Sequence, residues 1–141
     1  MRNFLALGFA LLAACAAEKV TIPGCTAEQV LNDGIQLEGV KSTLREAERL
    51  RQNGHSFLSN AEKAGYGIPC ASGRSRADEA RTEANTKVTA ATTALGQIGA
   101  CVAAADKQDL EFKIRKLNEA VTRLEGLIID FRCSDAGETL K

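Results

Sequence analysis

The chain has no Trp and a single Tyr beside five Phe in 141 residues. Pleated faces are ordinarily filled by aromatic and β-branched side chains, so this shortage argues against a sheet and for helices packed through Ala, Leu, Val and Ile. Net charge is also missing, 18 Lys and Arg being matched by 18 Asp and Glu. With no basic stripe and no aromatics interleaved among cations, a nucleic-acid partner is not expected. The only His, His55, lies between Gly54 and Phe57 on a helical pattern. A surface or seam-edge position suits it better than acid-base work, because the sequence places no second group beside it. C-x-x-C pairs are absent, which excludes the usual structural zinc and thioredoxin-like arrangements. The "GYG" at residues 65–67 lacks the preceding strand and following Gly-Lys-Ser/Thr of a phosphate loop, and no G-x-S-x-G elbow occurs. Neither an enzyme, a metal nor a cofactor is expected. Nor does any apolar run reach the ~20 residues of a membrane span.

What is present begins with a leader. Met1, Arg2 and Asn3 form a weakly basic start, followed by an apolar stretch from Phe4 to Ala14 that ends in small residues, the pattern of a secretory signal. Its end, Leu12-Ala13-Ala14-Cys15, resembles the lipobox of bacterial lipoproteins. That resemblance implies lipidation of the Cys15 thiol and cleavage ahead of it, with Ala16 after the cysteine implying sorting to the outer membrane. An ordinary leader cut near Ala14-Cys15-Ala16 is the alternative, and it gives a secreted protein instead. Either cleavage leaves Cys25, Cys70, Cys101 and Cys133, the even number that an oxidising compartment favours.

Three helices follow from the apolar spacing. Thr26 and Gln29 read as a capping box, after which Leu37, Val40, Leu44, Ala47, Arg51, Gly54, Leu58 and Ala61 step by three and four, widened by Leu50 and Phe57. Gly34, Gly39 and Gly54 each cost about 1 kcal/mol in a helix, so a bend or interruption is expected. "AGYGIPCASGRS" reads as the longest loop, since Gly65 suits a helix end and Pro69 does not continue a helix. Ser75, with Asp78 and Glu79, reopens a helix whose inner face is Ala77, Ala80, Ala84, Val88, Ala91, Leu95, Ile98, Val102 and Ala105. Leu110, Ile114, Leu117, Val121, Leu124, Ile128 and Phe131 form the third seam. Its outer side offers the pairs Asp109 to Lys113, Glu111 to Arg115 and Glu119 to Arg123, a solvated charged face. The seams fall out of register near Asp106, which places a turn there. Gly96 and Gly99 offer another reversal point, and a single rod from Ser75 to Arg132 is the rival.

In an up-down-up bundle, Cys25 and Cys101 share one end, while Cys70 and Cys133 share the other. Thirty helical residues span roughly 45 Å and a disulfide needs Cα atoms within about 7 Å, so those two pairs are the ones expected. The whole reading is an all-α, antiparallel three-helix bundle of residues 25–133, stapled by two disulfides. It follows a signal peptide (1–14) and a lipid-anchored linker (15–24), and it precedes a tail (134–141). The expected role is a non-catalytic binding or structural module of the cell envelope, held to the membrane through Cys15 and working with an envelope protein. A soluble secreted inhibitor or exclusion factor and a small-ligand carrier are the alternatives. Tyr66, Ile68, Arg74 and Arg76 are the candidate contact residues, since Tyr and Arg are favoured interface anchors.

Overall fold

A computed structural model describes residues 21–134. Cys15, the leader and residues 135–141 lie outside the described residues. The fold is three helices, α1 (Ala27–Ala64), α2 (Gly67–Gln97) and α3 (Ala104–Asp130), running up, down and up with no strand among the described residues. None of the helices is long and apolar enough to cross a membrane.

α1 opens on the expected capping box: the Thr26 hydroxyl accepts from the Gln29 amide at 3.2 Å and the Gln29 side chain accepts from the Thr26 amide at 2.9 Å. It then continues without interruption through Gly34, Gly39 and Gly54 for 38 residues. Tertiary burial on one face outweighs the helix cost of these glycines. Gly54 is itself buried, and a Cβ there would meet the Leu124 side chain at 2.7 Å. The glycine is thus the contact that lets neighbouring helices approach.

The segment read as a long loop is mostly helix. Gly65 and Tyr66 alone connect α1 to α2, Gly65 ending α1 at φ 74°. Pro69 then sits in the first turn of α2 rather than beyond a helix end. Its missing N–H belongs to the set of first-turn donors that have no intrahelical acceptor, so it costs no hydrogen bond there. α2 therefore begins eight residues ahead of Ser75, and Cys70 is a buried helical residue rather than a loop residue.

The reversal between α2 and α3 occupies residues 98–103, next to Gly96 and Gly99 and ahead of Asp106, which lies in the first turn of α3. This excludes the single rod. One distant and one nearby side chain hold the turn: an Asp33 carboxylate oxygen accepts from the Cys101 amide at 3.0 Å, and the Lys107 ammonium donates to the Ile98 carbonyl at 2.6 Å. Gly99 packs so closely on Asp33 that an added Cβ would collide with its carboxylate.

The core follows the seams. Leu37, Val40, Leu44 and Ala47 of α1 meet Ala84, Val88, Ala91 and Leu95 of α2, with Leu110, Leu117 and Val121 of α3 closing the third side. A smaller cluster nearer the other end joins Ala77, Leu124 and Ile128 to Phe57 and Leu58. The end of the second seam departs from expectation: Val102 is half-buried and Ala105 exposed, because the chain has turned before reaching them. Alanine along α2 draws α1 and α2 into the most extensive helix contact, while α1 and α3 touch least.

Cys25 bonds Cys101 with Cα atoms 5.7 Å apart, and Cys70 bonds Cys133 at 5.9 Å. Both expected pairings are present, one at each end of the bundle.

Candidate binding groove

The four residues singled out from sequence do not form one patch. Tyr66 and Ile68 are 63% and 85% exposed at the α1–α2 corner. Tyr66 pairs with Ser134 through an isolated bridge, and the Ser134 amide donates to the Gly65 carbonyl at 2.9 Å. Arg74 and Arg76 lie within α2 instead of a loop. The Arg74 Nε donates to the Ile128 carbonyl at 3.3 Å, and the Arg76 guanidinium stacks 5.9 Å from the Phe57 ring centroid. Both arginines are engaged by the bundle itself, so Tyr66 and Ile68 alone remain as free anchors.

A larger feature lies between α1 and α3, the pair of helices in least contact. A groove of about 840 Å³ runs between Lys41–Gln52 of α1 and Leu110–Arg123 of α3. Leu44, Leu110 and Leu117, all buried, form its floor with the small side chain of Ala120. Seven of the chain's 18 Lys and Arg line it, against one of its 18 Asp and Glu, Glu48. α1 supplies Lys41, Arg45, Arg49 and Arg51; α3 supplies Lys113, Lys116 and Arg123. A formally neutral chain thus concentrates positive charge on one concave surface and leaves the remainder with an acid excess.

The single carboxylate is already committed. Glu48 accepts from the Arg51 Nε and Nη2 at 2.9 and 2.6 Å and from the Gln52 amide at 2.9 Å. Arg51 beside it holds the Glu48 carboxyl below its ordinary value, over the opposing effect of partial burial. Lys41, Lys113 and Lys116 each pair along their own helix, with Glu38, Asp109 and Glu119. The expected Glu119–Arg123 pair is not formed, because Glu119 turns back to Lys116 at 3.3 Å. Glu111 and Arg115 do not pair either; Arg115 and Lys116 each lie 5.7 Å from the centroid of the Phe112 ring. Among the described residues, Arg45, Arg49 and Arg123 have no ion-pair partner.

Two of the outer charges of α3 that read as a solvated face, Lys113 and Arg123, therefore belong with Lys116 to a two-helix feature. In sequence the α1 and α3 cations are separated by the whole of α2, and each set is diluted locally by acids. Only the parallel placement of the first and third helices brings them together.

A second groove, about 690 Å³ between α2 and α3, carries Thr89, Thr92 and Thr93. Their hydroxyls donate to carbonyls one turn back in α2, and Lys107, Glu111 and Arg115 give it mixed charge. It lacks the one-signed character of the first. His55 is half-buried on α1. Comparison of the chain with protein-family models, curated proteins and solved structures finds no match.

Proposed function

We propose that this protein is a lipoprotein of a bacterial cell envelope, a non-catalytic helical module that binds another envelope component while tethered through Cys15. The observation carrying this reading is the use of cysteine. Four of the five are consumed in two disulfides that clamp opposite ends of the bundle, an arrangement suited to an oxidising compartment. Cys15 is the one left over, and it follows the lipobox-like Leu12-Ala13-Ala14. A rigid bundle with one strongly charged groove fits binding rather than turnover.

The test is an intact mass of the mature protein from the membrane fraction of its native cells, with and without thiol alkylation under non-reducing conditions. The expected species begins at Cys15, carries acyl chains and takes up no alkylating agent. A lipid-free species beginning at Ala16, Ala17 or Glu18 would replace the tethered module with a secreted one.

A further inference from the structure

We infer that the α1–α3 groove is a docking site for an acidic amphipathic helix of a partner protein, an inference that rests on the binding-module reading above. Shape and charge both lead there. The groove follows α1 from Lys41 to Gln52 and α3 from Leu110 to Arg123, a run of about 17 to 20 Å at the helical rise. Two parallel helices in sparse contact leave a trough whose natural occupant is a further helix, about three to four turns long, laid along both ridges. Ala120 admits close approach over the closed leucine floor, and half-exposed Phe112 offers the apolar contact. Arg45, Arg49 and Arg123, unpaired among the described residues, stand along the rims to meet carboxylates.

Other occupants fit less well. Leu44, Leu110 and Leu117 are 7%, 1% and 8% exposed, so the floor is closed and gives an acyl chain no tunnel. Phe112 is the groove's sole aromatic and its ring is flanked by Arg115 and Lys116, which leaves no open platform for base stacking. A concave trough also presents its charges poorly to a flat bilayer.

The experiment uses the purified, oxidised full-length protein and a fluorescent 18-residue peptide with Glu on one helical face and Leu on the other. A scrambled peptide of identical composition is the control. Saturable binding of the first peptide is expected, with a gain of peptide helicity by circular dichroism and weakening as salt rises. The Arg45→Glu/Arg123→Glu variant should bind at least about tenfold more weakly. Glu48→Gln, which removes the only lining carboxylate, should bind about threefold more tightly. Cooperative melting within a few degrees of wild type shows that both variants fold. No saturable binding, equal binding of the scrambled peptide, or unchanged affinity in the double variant would overturn the inference. So would stronger competition by phosphatidylglycerol vesicles, by an oligothymidylate or by self-association of the protein, each of which names a different occupant. A lipid-free protein that binds the peptide loses only the tether; a lipidated one that ignores it loses only the groove.

Discussion

At Gly73 the backbone of α2 lies directly against that of α1. A Cβ added there would meet the Ala61 Cβ at 2.9 Å, the Phe57 carbonyl oxygen at 3.1 Å and the Ala61 Cα at 3.2 Å. Two of these contacts are backbone atoms, so the helices themselves must separate. Gly73→Ala is therefore expected to destabilise the protein by about 1 to 3 kcal/mol, although alanine is the better helix former. Gly39 is the matched control, being helical with nothing within 4 Å of an added Cβ. Gly39→Ala should stabilise by about 0.5 to 1 kcal/mol. Denaturant midpoints of the two variants check both signs. Glu48 adds a pH dependence, because the hydrogen bonds from Arg51 lower its folded pKa below the ordinary 4.5. Its contribution is complete above that ordinary value and disappears as pH falls through the lowered one. The pair is partly exposed to solvent, so Glu48→Gln should lower Tm by only about 2 °C at pH 7, corresponding to about 0.5 kcal/mol. Melting curves taken down the acid limb should show wild type and variant converging below pH 4.5.

At the scale of elements, the seams were readable because they are local. The α3 apolar series and the Thr26 capping box carry their instructions within a few residues, and both form as their spacing dictates. The length of the α1–α2 corner is not legible, because Gly65, Gly67 and Pro69 signal interruption without marking how much chain it takes. Two residues suffice when Gly65 ends one helix and Pro69 is accommodated in the first turn of the next. The α2–α3 turn has the opposite history. Asp33 supplies its anchor from 68 residues away, and no local pattern encodes that. The disulfide pairing was legible for a geometric reason, since helix length alone separates the two ends beyond bonding reach. Each bond closes a loop of more than sixty residues, for which chain entropy gives a stabilisation of about 4 kcal/mol. The groove was illegible because it belongs to no element: Arg45 and Arg123 share a surface only once α2 has reversed the chain twice.

For the molecule as a whole, balanced composition conceals a segregated surface, and neutrality by count says little about what a folded face attracts. The interleaved disulfides add a property of a different kind. Taken as a covalent graph, Cys25–Cys101 and Cys70–Cys133 are two nodes joined by three parallel edges, the segments 25–70, 70–101 and 101–133. Each edge carries most of one helix, the first three residues of α2 lying ahead of Cys70. A single backbone cut in any one segment, or one in each of two, leaves the molecule in one covalent piece. Brief trypsin exposure should therefore yield nicked protein that runs as a single species without reductant and separates into fragments with it. Fragment release from the bonded domain after one internal nick would contradict this connectivity. A network with no single point of severance holds all three helices in one covalent piece after a cut that would divide a linear chain.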